Sequence, residues 1–368
     1  MSLNRYTHLT DLMQSASLDA LVLNPGPTLT YLTGLVFHLS ERPTVLLVSP
    51  PADPALILAE LEILKAKQSQ VPVNPFTYND NPDSWQVAFN KAVQALRLDG
   101  KRIGVEPERL RVLELNFLEN AAPGANFVSA AALLANLRMQ KDGQEIAAMR
   151  KAVQIAQQAL LATMPFIKAG VTEHQVATEL TLNLLRAGSD PQIPFSPIVS
   201  SGPNSANPHA SPGERKLTTG DLLVIDWGAA YAGYFSDLTR TFAIGQVSPE
   251  FEEIAKIVGE ANAAGRSTAR PGITAGMVDQ AARAVITRAN YGPYFHHRVG
   301  HGLGMEGHEP PYMYGENPLV LAEGMSFTVE PGIYLADRGG VRIEDDVVIT
   351  KDGAETLSDL PRQLIHLG

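Results

Sequence analysis

The chain has 368 residues, which at roughly 150 residues per domain predicts about two domains. Its 45% hydrophobic and 18% charged composition is that of a globular protein with a sizeable core, and its formal net charge of −10 argues against a nucleic-acid partner, which would want a basic face. The absence of cysteine excludes disulfides, thiolate metal ligands and a Cys nucleophile.

The N-terminal stretch, Met1 to Ala16, is polar and lacks the apolar stretch of a signal peptide, and no apolar run reaches bilayer-spanning length. A cytoplasmic enzyme that engages neither membrane nor nucleic acid is the expectation. From there, Leu18 to Leu23, Thr44 to Val48 and Lys101 to Val105 read as buried strands. Ala55 to Lys67, Ser84 to Leu98 and Arg109 to Ala121 carry helical spacing. This alternation predicts a small α/β domain over residues 1–135.

Residues 136–368 read as a second domain of α+β type. Gln144 to Met164 is one long amphipathic helix, with Pro165 as its stop. A shorter helix follows, opened by the capping box Thr172/Gln175 and closed at Gly188. A long helix capped by Ser248 and Pro249 and another shorter one from Gly272 to Asn290 repeat this order, the two shorter helices lying 102 residues apart at both ends. The equal offset predicts a duplicated half, with side chains of both halves converging on one cleft.

Acidic residues then appear where strands should be apolar. Leu222 to Ile225 runs into Asp226, and after a turn at Ala232-Gly233 the chain returns with Asp237, so paired strands would carry both aspartates inward. Such a buried Asp can also be satisfied by backbone N–H groups or by an arginine such as Arg240. The pattern recurs: Met325 to Val329 ends in Glu330, and Gly340 to Thr350 contains Glu344, on the same face as Arg342 by strand alternation. Arg342 then either pairs with a nearby carboxylate, orients a ligand, or does both. Four buried carboxylates repel unless some stay protonated or cations join them, and oxygen donors with one imidazole suit Mn, Co, Fe or Zn.

The imidazole comes from His296-His297-Arg-Val-Gly-His301-Gly-Leu-Gly-Met-Glu-Gly-His308. Glycines 300, 302 and 304 allow close backbone approach there, which favours His301 as ligand and His308 as a substrate histidine. His296 and His297 read as solvent-facing or structural, and His209 as a loop residue able to overhang the cleft. Gly302 to Gly307 matches a dinucleotide fingerprint, but Pro310-Pro311 stands where its helix should open.

Together these segments resemble the pita-bread metallopeptidases, the group of methionine aminopeptidase, aminopeptidase P and prolidase. The motifs are Ile225-Asp226-Trp-Gly, Ser236-Asp237-Leu-Thr-Arg-Thr, Gly300-His301-Gly-Leu-Gly, Val329-Glu330-Pro-Gly and Val341-Arg342-Ile-Glu344-Asp. The resemblance implies a pita-bread domain behind a creatinase/prolidase-type N-terminal domain, a homodimer, and two divalent ions, with Mn favoured and Co, Zn or Fe competent. It implies that Asp226, Asp237, His301, Glu330 and Glu344 bind metal, with Asp237 and Glu344 bridging. It implies Xaa-Pro bond hydrolysis by a metal-bridging hydroxide, with Glu330 relaying a proton and His308 and His209 stabilising the substrate. Metal-free creatinase-type C–N hydrolysis and a non-catalytic binding protein are the competing readings on the same fold; all five ligands and His308 are present, which disfavours both. One departure stands out. Prolidases resemble each other in an arginine shortly after the second histidine, whereas residues 309–329 contain no Lys or Arg and Tyr312 stands near that place. A longer peptide substrate, Arg342 or a partner subunit would account for that.

Overall fold

A computed structural model describes residues 2–368, with side chains from residue 5 onward; Met1, the first residue of the expected 1–135 domain, lies outside the described residues. Two compact units divide between Arg138 and Met139.

The first unit runs α1 (Ser2–Ser15), β1 (Ala20–Leu23), α2 (Pro27–Thr33), β2 (Val45–Val48), β3 (Ala55–Ala59), α3 (Ile63–Ala66), β4 (Asn74–Tyr78), α4 (Trp85–Leu96), β5 (Arg102–Val105), α5 (Val112–Ala121), β6 (Asn126–Ser129) and α6 (Ala131–Met139). Its mixed sheet has the order β4-β3-β2-β1-β5-β6. The expected helix from Ala55 to Lys67 is a correction: its first five residues are a strand between β2 and β4, and only a short helix follows. Ala-Leu-Ile-Leu-Ala is buried at every position, and a continuous apolar run this short has no period to tell strand from helix.

The second unit runs α7 (Gly143–Thr163), α8 (Glu173–Arg186), β7 (Ile198–Ser201), β8 (Leu222–Trp227), β9 (Ala230–Tyr231), β10 (Tyr234–Phe235), β11 (Leu238–Ile244), α9 (Pro249–Thr268), α10 (Ala275–Arg288), β12 (Gly300–Gly302), β13 (Glu309–Met313), β14 (Ser326–Val329), β15 (Gly332–Leu335), β16 (Gly339–Arg342), β17 (Asp345–Ile349), β18 (Ala354–Thr356) and β19 (Ile365–Leu367). The predicted capping box at Thr172/Gln175 closes in both directions, and Ser248 caps α9 ahead of Pro249.

The duplication is physical. In the first half β7, β8 and β11 pair antiparallel, and in the second half β12, β14 and β17 do the same. Each half has a two-helix layer, α7 with α8 and α9 with α10. Even the irregular backbone repeats: Gly170 N–H donates to Leu217 O in one half, and Gly272 N–H to Leu321 O in the other. Among the described residues no helix is long and apolar enough to cross a membrane.

Close approach of β12 to β14 depends on a missing side chain. A Cβ on Gly300 would fall inside the Thr328 carbonyl oxygen, and backbone on both sides leaves nothing to yield. Gly300→Ala is therefore expected to destabilise the second unit by more than about 3 kcal/mol, the upper range for overpacking. Gly143, the first residue of α7, has nothing within 4 Å of a built Cβ, so Gly143→Ala should stabilise by about 0.4–1 kcal/mol. Urea unfolding of the two variants checks both signs.

Candidate metal centre

Each half delivers its carboxylates from antiparallel neighbours. Asp226 is the penultimate residue of β8, opposite Thr239 on β11, and Asp237 immediately precedes β11. The excursion between them is a two-residue hairpin, Tyr231 pairing with Tyr234, with Ala232 and Gly233 both at positive φ. In the second half Glu330 follows β14 directly, its N–H donating to Val299 O at 2.7 Å. Glu344 lies in the break between β16 and β17 rather than within a strand, bridged to Thr239. Period-2 alternation survives that break: Arg342 Nε and Glu344 Oε2 both bond the Thr239 hydroxyl, at 3.2 and 2.6 Å.

The five residues meet. Ligand atoms of Asp226, Asp237 and Glu344 lie within 4.8 Å of one another, and so do those of His301, Glu330 and Glu344. Glu344 is common to both triads. Asp237 Oδ2 also stands 3.7 Å from His301 Nε2, and Glu330 Oε1 stands 3.4 Å from it.

The polar accounting suits cations. His301 Nδ1 lies 3.1 Å from its neighbour's carbonyl oxygen, Gly302 O, which accepts a proton and provides none. The imidazole is thus protonated at Nδ1 and turns the Nε2 lone pair toward two carboxylates. Burial and the field of His308 lower its pKa to about 3, which keeps the ring neutral. Lone pairs facing lone pairs in a buried site repel unless a cation or proton lies between them. Burial, then Glu344 and Asp226, push Asp237 well above the usual carboxylate range; burial, then Glu330 and Asp226, do the same to Glu344. Burial raises Glu330 to about 7 against the pull of Arg342. Asp226 Oδ1 is buried without a hydrogen-bond partner, while its Oδ2 accepts from Arg342 Nη2 at 2.7 Å. One arginine against four carboxylates leaves a deficit that two divalent ions would fill, so the donor set fits them.

Arg342 is thereby committed. Besides Asp226 and Thr239 it donates to Tyr334 Oη at 3.1 Å, and Tyr334 Oη lies 2.9 Å from His297 Nε2. These contacts commit the Arg342 guanidinium to Asp226, Thr239 and Tyr334. Arg240, weighed as a partner for the strand aspartates, pairs instead with Asp345 at 2.8 Å.

The remaining predicted residues lie around the cluster. His308 is exposed, its ring centroid 3.7 Å from that of His301, and one of its nitrogens lies within reach of Asp237 and His301. Burial of part of the ring, then Arg298 and His209, lower its pKa. His209 is exposed on the loop after β7, close enough to lower His297 and His308 together. His296 is exposed and half-buried His297 is hydrogen-bonded at both nitrogens. Tyr312, on β13, pairs across the sheet with His301.

Three residues escaped the sequence reading. Arg298 stacks its guanidinium 4.3 Å above the Tyr312 ring and contributes positive field at His301, His308 and Glu330. It lies upstream of His301, outside the 309–329 stretch that lacks Lys and Arg. Lys141 donates to Glu309 Oε1 at 2.6 Å in a fully buried pair directly behind His308. Glu173 is buried beneath the His209 loop.

Comparison with known proteins agrees with this geometry. Residues 147–351 match the sequence model of metallopeptidase family M24, and residues 5–140 match the creatinase/prolidase N-terminal domain. The chain is 35% identical to an Xaa-Pro dipeptidase of Lactobacillus helveticus over 353 residues, 96% of each chain. Its structure is similar to a prolidase from Thermococcus sibiricus (TM-score 0.93, 31% identity, 99% and 98% of the two chains). It is also similar to an X-Pro aminopeptidase from Thermotoga maritima (TM-score 0.86, 31% identity, 98% and 99%). An α/β N-terminal domain is thus joined to a duplicated pita-bread fold, and the chain belongs to metallopeptidase family M24.

Proposed function

We propose that this metallopeptidase hydrolyses the Xaa-Pro bond of peptides with a free N-terminus, and that dipeptides are its preferred substrates. Residues 1–135 would form the creatinase/prolidase-like domain and residues 136–368 the catalytic one. The observation that carries the reading is the convergence of Asp226, Asp237, His301, Glu330 and Glu344 around a neutral imidazole, with a cation, Arg298, beside the second histidine. Asp226, Asp237 and Glu344 would hold one divalent ion, and His301, Glu330 and Glu344 the other. Such a pair, Mn favoured, supplies Lewis-acid polarisation of the scissile carbonyl and acidifies the attacking water.

The chain's own groups divide the remaining work. Glu330, whose Oε1 stands 3.4 Å from His301 Nε2 inside the cluster, would take a proton from the attacking water and return it to the leaving proline nitrogen. That nitrogen starts as a tertiary amide without N–H, so it leaves only if a proton reaches it. His308 and His209 hold the substrate and meet the charge that develops on the attacked oxygen. Arg298 takes the proline carboxylate. Its guanidinium makes no hydrogen bond or ion pair among the described residues, and the Tyr312 ring fixes its plane. The likeness to pita-bread relatives supports a homodimer.

Three outcomes are expected. Metal-stripped protein reconstituted with Mn, Co or Zn should release the N-terminal residue from an Xaa-Pro dipeptide faster than from an Xaa-Pro tripeptide; no cleavage of either, with ions bound, would end the Xaa-Pro reading. Arg298→Ala should raise KM for the dipeptide by roughly 10- to 100-fold, the worth of one charge-assisted contact. The same change should leave a C-terminally amidated Xaa-Pro substrate within about twofold, since the contact at stake needs the carboxylate; equal losses on both would remove Arg298 as anchor.

The third concerns pH. Asp237, Glu330 and Glu344 have raised pKa values, so the metal-free folded state binds more protons than the unfolded one. The Glu330 contribution to stability is intact below the ordinary 4.5 of a glutamate and is lost as pH climbs through about 7; those of Asp237 and Glu344 are likewise lost as pH rises. Ions replace those protons. The Tm gap between metal-loaded and stripped protein should therefore widen from pH 4.5 to 7, and calorimetry near pH 6 should register proton release on Mn binding.

A further inference from the structure

We propose that Glu173 is a positioning residue for His209, gripping the base of the loop that carries it. The proposal rests on the reading of His209 as a substrate-contacting histidine. Glu173 is the first residue of α8 and wholly buried, and its carboxylate points away from its own helix into the loop over residues 202–213. At the start of that loop, Oε1 accepts from Ser201 N at 2.7 Å, Ser201 Oγ at 2.8 Å and Asn204 Nδ2 at 3.1 Å. At the far end, Oε2 accepts from Gly213 N at 3.2 Å. One buried anion thus joins the two ends of the loop, a set of donors that only an ionised carboxylate satisfies in full.

A second contact seats the underside. Ser205 Oγ accepts from Gly340 N at 2.8 Å, and a Cβ on Gly340 would strike the Ser205 carbonyl oxygen, so the loop rests on bare backbone of the strand that ends in Arg342. Between these anchors His209 is exposed, and the hydrogen bond its own backbone makes is local, from its N–H to Asn207 Oδ1 at 3.2 Å. The direction of the imidazole is therefore inherited from the base of the loop.

The duplicated half argues that the carboxylate serves the loop and not the fold. The residue 102 positions later, at the same start of α10, is Ala275. Backbone pairing is equivalent in the two halves: Glu173 N–H donates to Arg215 O at 3.0 Å and Ala275 N–H to Leu319 O at 2.8 Å. The helix-to-strand geometry thus forms without an acid. What differs is the loop: the second half backs its own histidine, His308, with strand β13, whereas the first half has no strand there and uses Glu173.

The test is a double-mutant cycle of Glu173→Gln and His209→Ala on the metal-loaded enzyme, with kcat, KM and metal content per subunit measured on an Xaa-Pro dipeptide. Glu173→Gln alone should lower kcat/KM by roughly 10- to 100-fold, as expected when a catalytic group is displaced by about an ångström. Metal content should stay at the wild-type value. In the His209→Ala background the further loss should shrink to less than about twofold, the signature of two residues acting as one. An equal loss in both backgrounds, or lost metal, would assign Glu173 a general structural role and overturn the proposal. No effect of His209→Ala by itself would remove the histidine from the reaction and the proposal with it, leaving the metal centre untouched. Should Glu173→Gln fail to fold, Asn204→Ala, at an exposed position that supplies one of the donors, enters the same cycle with a smaller loss and the same criterion.

Discussion

Burying Asp226, Asp237, Glu330 and Glu344 at one point is the constraint around which the second unit is organised. Mutual repulsion and desolvation both oppose it, and each pushes the carboxyls toward protonation. Three of the four carboxylates are held by a second group: Arg342 on Asp226, the Thr239 hydroxyl on Glu344, the Thr328 hydroxyl on Glu330 at 3.1 Å. These contacts fix direction without neutralising the cluster. Supporting groups that cancelled all the charge would leave nothing for a cation to bind; the geometry keeps a deficit and orients it.

Duplication explains how side chains so far apart in sequence arrive together. Each half is a helix pair on an antiparallel triplet, and in each one acid stands at or just past the end of the middle strand and another just ahead of the neighbouring strand. The halves then diverge in the loops that carry His209 and His308. The His308 loop acquires β13 and the buried Lys141–Glu309 pair behind it, whereas the His209 loop has neither and is gathered by Glu173. Removing one member of such a buried pair leaves an uncompensated charge, which costs far more than the intact pair contributes. On the proposed reading, each loop is held by a buried charge that stands outside the carboxylate cluster.

What could be read from the chain divides along physical lines. An acid closing an apolar strand is a local contradiction, so Asp226 and Glu330 stood out, and the turn at Ala232-Gly233 announced the return of Asp237. Capping chemistry is local too, and Thr172/Gln175 and Ser248/Pro249 placed α8 and α9 within a residue or so. Ala55 to Ala59 was misread because a fully buried strand has no alternation. Arg298 was invisible for a different reason. Its position relative to Tyr312 is set by the pairing of β12 with β13, fourteen residues apart, and no spacing rule reports that an arginine before a metal histidine stacks on a tyrosine after it.

Three consecutive acids, Glu344, Asp345 and Asp346, show how the sheet separates charge that serves the centre from charge that serves the fold. Alternation sends Glu344 and Asp346 to one face and Asp345 to the other. Burial pushes Asp345 up, yet Arg240 and Arg362 outweigh it and bring the group to about 2. Ser358 and Arg362 both donate to Asp345, which ties the C-terminal segment to β17. Asp346 faces the carboxylate cluster, has no cation in contact among the described residues, and is pushed well above the usual range by its burial. Its Oδ2 accepts from the backbone N–H of Asp237 at 3.1 Å, so it steadies Asp237 through the main chain, and its Oδ1 is left unpartnered. The residues that look most alike in sequence thus divide by face: Asp345 meets Arg240 and Arg362 and fastens the C-terminal segment, while Glu344 and Asp346 turn toward the carboxylate cluster.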